Sequence, residues 1–312
     1  MRARKTKAVK EKTPGKGLRA LKGLGGVVAA PPARLGMVRL LIGGYTFYYL
    51  RKRRDAFHRL NRTDPALFAP VGPVRVLRKP IPAPVADALN DATLVSTALF
   101  ALGAGHKVVG PVHSSLLSWT LSYRNSWSMI FHSDNSLVMH SIVLGATRAA
   151  DAVSVDALLS SAKTPEPHKR YGWPLQLMNA VSTAVYLLSG VSKVAGPLGW
   201  SWAKGSSMRR QVAVDGVRKE VFGSEAPAAA YATYKHEHLF TAFAAGSLAM
   251  ELGAPLGLIN RKFGKLMALA LFGMHWGIRV IMGIKFRYQM SGVSFAPWFD
   301  VEKILEIFTR RR

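Results

Sequence analysis

From Trp173 to Ala203 the chain carries a single charged residue, Lys193. A helix on the surface of a soluble protein sets a polar stripe against its apolar one. A stretch this long without that stripe belongs in an apolar surround. Residues 173–192, "WPLQLMNAVSTAVYLLSGVS", supply twenty positions without a charge, about the length that crosses the hydrocarbon layer as a helix. Trp173, Trp200 and Trp202 are of the type that settles at membrane interfaces. Residues 238–260 are interrupted only by Glu251, and 266–284 only by Arg279 together with His275. Shorter apolar segments lie at 37–50, 92–105, 108–123 and 135–147. Gly, Ala, Ser and Thr are spread through all of them, as close helix packing in lipid favours. The expectation is an all-α, polytopic integral membrane bundle of about six to eight transmembrane helices, placed in the cell membrane.

Charge is segregated from this apolar material. The net charge is +26, with 43 Lys and Arg against 17 Asp and Glu. Residues 1–22 hold nine basic residues and one acid, and the chain ends "RRR". The tail reads as a solvated segment on anionic headgroups, each basic residue adding about 1 kcal/mol of attraction. Its basic part is too long, and "GLGGVVAAPPA" too weakly apolar, for a signal peptide. Nucleic acid is excluded as a partner, because the basic residues are not interleaved with aromatics on a recognisable module. Cysteine is absent, which removes thiol chemistry and disulfides. The expected organisation is a basic tail at 1–33, a membrane domain at 34–300 and a basic tail at 301–312. Polar insertions fall at about 51–85, Pro-rich and turn-filled, and at 203–235, with an amphipathic helix suited to the bilayer surface. Basic "RKRR" at 51–54 conflicts with a simple positive-inside orientation if 37–50 crosses fully.

Ionisable residues inside apolar segments cost about 2.5–3.5 kcal/mol on insertion scales, so they face a protein interior or a wet cavity. Lys193 reads either as an amine reaching for the interface past "VAGPLGW" or as a desolvated amine serving as a neutral base. His275 and Arg279, four apart, share a helix face and read as a structural pair or as part of a site. His132, Asp134, Asn135 and His140 cluster at the head of one segment, with Arg124 and Asn125 just before it. His140 also reads as a satisfied core histidine, Glu251 as a bond to a neighbouring helix, and Arg148 with Asp151 as a helix-end ion pair. No metal site is expected: "KHEHLF" has Phe240 where a zinc-protease motif needs its second ligand, and His236 and His238, two apart, point to different faces. "GAGHKVVG", "GVSKV" and "GVSFA" lack the spacing of a dinucleotide loop or nucleophile elbow.

Taken in order, "LSYRNSWSMIFHSDNSLVMHSIVLGATRAADAVSVDA", "YGWPLQLMNAVSTAVYLLSGVSKV", "DGVRKEVFG", "HLFTAFAAGSLAMELGAPL" and "FGMHWGIRVIMGIKFRYQMSGVSFAPWF" resemble the horizontally transferred transmembrane (HTTM) domain family. The similarity is to bacterial, actinobacterial-type members and, distantly, to vitamin K-dependent gamma-glutamyl carboxylases. It spans Arg39 to Phe299. The carboxylases have "AGVKKL", whose second lysine is associated with deprotonating vitamin K hydroquinone, and "SGVSKV" places Lys193 there. A late-helix histidine after an aromatic matches His275, with Met274 in the aromatic's place. The histidine of their "NNHSYL" is replaced by Asn135, with His132 displaced nearby, and their large lumenal domain has no counterpart here. Half of that equipment is matched and half missing, which argues against glutamate carboxylation itself.

The resemblance implies a membrane enzyme in which Lys193 acts as base on a lipophilic or peptide substrate. His275 and His132 would shuttle protons, and Arg279 and Asn135 would stabilise negative charge. A reduced isoprenoid quinone is the implied cofactor only if carboxylase-like chemistry survives. Two alternatives stand beside it: a non-catalytic membrane protein holding a lipid, a quinone or a secreted peptide, and a transporter relaying ions through its intramembrane His, Glu and Arg.

Overall fold

The computed structural model describes residues 28–305, and every element among them is helical. The only extended pairing there is a bridge between Ala30 and His168. Most of the expected basic tails lies outside the described residues. The described parts of those tails, 28–33 and 301–305, pack on the body, with Ala30 and Val301 buried.

Helix α1, Pro32–Leu60, starts with a proline in its first turn, where the missing N–H costs nothing. Its 29 residues make a rod about 43 Å long, which runs unbroken through the basic "RKRR". The Pro-rich insertion therefore begins only after Leu60, as two 3-10 turns, Pro65–Leu67 and Gly72–Val76. Helix α2, Ala83–Leu102, returns antiparallel to α1: Arg54 pairs with Asp91 at 2.6 Å, while Gly43 meets Ala101 near the opposite end. Asp87 also takes Arg62 at 2.7 Å. These two acids offset part of the basic stretch, which is why counting Lys and Arg alone misjudges this end of the molecule.

Helices α3, His106–Asn125, and α4, His132–Gly145, cross at Gly110 and Gly145, where a Cβ on Gly110 would fall 2.6 Å from the Gly145 carbonyl. Fourteen residues give α4 about 21 Å, short of the roughly 30 Å hydrocarbon layer. A short α5, Val155–Leu159, precedes α6, Lys169–Val194. The polar 203–235 segment forms α7, Ser206–Val221, and α8, Ala228–Tyr234. Val212 of α7 is buried, whereas Val214, Val217, Val221 and Phe222 are exposed. Helix α9, Glu237–Gly253, runs on into a 3-10 turn, Ala254–Leu258, and α10 is Arg261–Met282. A single turn, α11, Arg287–Met290, ends the series before a buried 3-10 segment, Val293–Trp298.

Among the described residues three helices are long and apolar enough to cross a membrane: Ala83–Leu102, Glu237–Leu258 and Arg261–Met282. Their outer faces are apolar too, with Val95, Leu99, Leu266 and Leu269 exposed. The charge-free 173–192 segment lies in a helix, Lys169–Val194, that is not among the three. Absence of charge and apolarity are different properties.

The core centres on Arg39 of α1, fully buried among the C-terminal end of α2 and the turn after α4. Its guanidinium donates to the carbonyls of Ala149 (3.0 Å) and Phe100 (2.7 Å), and also to those of Ala101 and Val153. Gly103, at φ +65°, leaves room for it, since a Cβ there would lie 2.7 Å from Arg39 Cζ.

The two ends of the described chain meet at Asp300. It accepts from Lys265 at 2.7 Å and pairs with Arg261 and Arg34, and Arg34 also holds Glu302 at 2.6 Å. Burial works against the Asp300 carboxylate, but the bonds from Lys265 and Arg261 and the field of Arg34 outweigh it and hold its pKa at about 2, against an ordinary 3.8. A depressed carboxylate pKa stabilises the fold above 3.8, and that stabilisation is lost as pH falls through 2. The unfolding midpoint of the detergent-solubilised protein is therefore expected to fall between pH 4 and 2. Asp300→Asn flattens that dependence, and an unchanged slope in the variant would assign it to other groups.

Candidate functional site

Helices α6 and α9 touch at a glycine. A Cβ on Gly190 would lie 3.1 Å from Glu251 Cβ and 2.9 Å from Leu252 Cδ2, so only a residue without a side chain permits this approach. One helical turn beyond, Lys193 reaches across. Its Nζ lies 2.6 Å from Glu251 Oε2 and 2.8 Å from Oε1, and also donates to Ser189 Oγ at 2.8 Å. Ser189 in turn donates to Glu251 Oε1 at 3.1 Å. The Trp202 ring sits over the amine, 5.1 Å from centroid to Nζ, a cation–π arrangement. The isolated amine read from the sequence thus has a carboxylate partner 58 positions away. Ammonium and carboxylate together are neutral, which is how a charge persists in an apolar surround. The Lys193 side chain is 23% exposed and that of Glu251 9%, and both line a space between helices that is partly open to the outside.

That space is a cavity of about 1190 Å³ between α6, α7, α9 and α10. Its walls are mostly apolar, with Leu188, Phe240, Phe243, Met250, Ile278 and Phe295 among them. The polar groups are few: the Lys193–Glu251 pair, His275, His132, Gln211, Gln289, Tyr186, Trp202 and several serines. His275 is buried on α10, and its Nδ1 lies 2.7 Å from the Leu271 carbonyl. A carbonyl only accepts, so Nδ1 carries the proton and Nε2 keeps its lone pair for the cavity. The Tyr186 and Phe286 rings meet the imidazole edge to face at 5.9 and 5.1 Å and fix its plane. The Ser294 hydroxyl, buried in the same wall, has no partner among the described residues. His132 is exposed and borders the far side.

Four residues singled out in the sequence, Lys193, Glu251, His275 and His132, therefore face one cavity. The others do not. His140 is fully buried behind the wall, with Nδ1 2.8 Å from the Tyr288 hydroxyl and Nε2 3.0 Å from Ser182 Oγ, and only Ser182 lines the space. It is a satisfied core histidine. Arg279 shares the α10 face with His275 but caps its helix, donating to the Gly283 carbonyl at 3.3 Å. Arg124 and Asp134 pair with each other and with the Tyr49 hydroxyl beside a separate, smaller pocket. Asn135 is exposed, and Asn125 is buried with Oδ1 unpartnered. Arg148 and Asp151 form their ion pair at 3.0 Å. The rings of His236 and His238 meet at 5.7 Å rather than diverging, because His236 precedes α9 in non-helical backbone. No cluster of three or more metal-ligating side chains occurs among the described residues.

Sequence reasoning missed Ser189, Trp202, Ser294 and Gly190. Ser189 was recoverable, four before Lys193 on one face. The others depend on contacts between helices. Gly190→Val is expected to drive α6 and α9 apart, with the roughly 1–3 kcal/mol cost of overpacking and loss of the Lys193–Glu251 bond. A lowered thermal midpoint together with loss of function checks this, and a variant as stable as wild type would remove the close-approach argument. Comparison with family models, with curated proteins and with solved structures gives no match for this chain.

Proposed function

We propose that this chain is a multi-pass protein of the cell membrane, with six to eight spans, whose bundle binds a lipophilic molecule and moves a proton on it through the Lys193–Glu251 pair. The observation that carries this reading is the placement of that pair, with His275 and an unpartnered Ser294 hydroxyl, in one large, mostly apolar cavity. Ligand sites combine apolar walls with a few convergent polar groups in this way. Three sufficiently apolar helices and the apolar outer faces support the membrane setting. The longer α1 and α6 and the twenty-residue α3 would add three further spans. The ordered motifs support membership of the HTTM family.

The chemistry follows from the pair. Glu251 takes a proton from an acidic O–H of a bound molecule, and the Lys193 ammonium, already within bonding distance, holds the oxyanion that remains. The pair begins as ammonium and carboxylate and ends as ammonium and carboxylic acid, with the negative charge now on the ligand. General-base help of this kind is worth about 10²–10⁴-fold in rate. His275 Nε2 is a second acceptor on the same space. The cavity fits the ring and tail of a reduced isoprenoid quinone, which when bound would supply the acidic O–H.

Mass spectrometry of lipophilic molecules retained by the gently purified protein tests this reading. A defined amphiphile at near one per protein supports it. Only bulk membrane lipid, in the proportions of the host membrane, would refute it.

A further inference from the structure

A second, smaller pocket lies against the first and has the opposite character. Arg53 of α1, Arg124 of α3, and Lys285 and Arg287 beyond α10 line it, with Asp134 the only acid and Tyr45 and Tyr49 beside them. Arg124 is taken by Asp134. Among the described residues no carboxylate lies within ion-pair distance of Arg53, Lys285 or Arg287, although Arg53 and Arg287 act on Asp134 through their field and Lys285 and Arg287 are exposed. The four cations outnumber the one acid by three. The uncapped N-terminus of α4 borders the same pocket through Phe131, Ser133 and Asp134, and adds partial positive charge. Its volume is about 70 Å³, room for about five water-sized groups.

The same two segments of chain line both spaces. Along the chain after α10, Ile284, Phe286 and Gln289 face the large cavity, and Lys285 and Arg287 face the small one. At the head of α4, His132 and Ser136 face the large cavity, and Ser133 and Asp134 the small one. A bond from Ser133 Oγ to Gln289 Oε1, 2.9 Å, joins these two segments. An oil-lined chamber thus adjoins a small, cationic, partly buried one.

We infer that the small pocket binds a phosphate group, and that the molecule held in the large cavity is an amphiphile presenting that phosphate. A dianion offsets most of the three uncompensated charges, and guanidinium forks match its oxygens. The amphiphile part rests on the proposed function, whereas the phosphate site stands by itself.

Full-length protein in dodecyl maltoside provides the test, read as the thermal midpoint with added dioleoyl phosphatidic acid, dioleoylglycerol or inorganic phosphate, each against chloride at matched ionic strength. Phosphatidic acid is expected to raise the midpoint and dioleoylglycerol to leave it unchanged. Arg53→Gln combined with Arg287→Gln weakens phosphatidic acid roughly tenfold or more, as loss of charge-assisted bonds requires. Lys285→Gln gives a second variant should that pair destabilise the protein. An equal response to inorganic phosphate retains the site but overturns the amphiphile. No phosphate response in wild type, or an undiminished one in both variants, overturns the site itself.

Discussion

Lys193→Met is expected to leave a folded membrane protein that has lost its function. Methionine keeps the side chain's reach through the apolar wall and removes the amine. The cost to stability comes from Glu251, which is left without its partner. Breaking a buried pair by removing one member costs roughly 3–5 kcal/mol, and the low end applies because the Lys193 side chain is 23% exposed. Adding Glu251→Gln removes the stranded carboxylate, so the double variant recovers most of that loss. Function does not return with it. This dissociation distinguishes proton transfer from packing: if the double variant restores both thermal midpoint and physiological activity in cells lacking the wild-type chain, the pair is structural only. A catalytic role carries a further signature. The Lys193→Met protein still copurifies with the ligand but no longer supports growth. If both proteins retain the same molecule and both support growth, the cavity is a binding site without chemistry.

The largest loss of stability is expected at Arg39. Its guanidinium satisfies four backbone carbonyls, those of Phe100, Ala101, Ala149 and Val153. Each buried acceptor left without a donor costs about 1–3 kcal/mol. The Phe100 carbonyl keeps the Gly103 N–H, so Arg39→Met should lose at least about 3 kcal/mol from the other three. At about 2–4 °C per kcal/mol for a domain of 150–250 residues, the thermal midpoint drops by roughly 10 °C or the protein fails to accumulate. Arg39→Lys does not rescue it. A single ammonium cannot span carbonyls that a planar fork reaches from several sides. A midpoint within about 2 °C of wild type for Arg39→Met, small beside that scale, would show that water replaces the guanidinium.

The residues differ in how openly the sequence displayed their roles. The helical character and the approximate position of each long segment were legible, because periodicity and the absence of charge are properties of neighbours in the chain. Lys193 and His275 stood out for the same reason: each breaks an apolar run locally. Arg39 interrupts such a run as well, but nothing around it says that its acceptors lie 61 to 114 positions away. Asp134 and Arg124 were legible as polar residues near His132, yet they turn to the small pocket. One residue along a helix rotates the side chain by about 100°, so His132 and Asp134 serve different chambers.

The sequence by itself determined that the chain forms long apolar helices, that charge is concentrated at its ends and insertions, and that Lys193 is out of place among its neighbours. The partner that explains Lys193 was decided only by tertiary structure. Glu251 comes within 2.6 Å because Gly190 lets two helix backbones approach, and because their rotation sets amine and carboxylate at the same height. Neither term appears in any one helix's pattern. Periodicity encodes which face of a helix turns inward, whereas the pairing of two inward faces depends on where small residues allow contact.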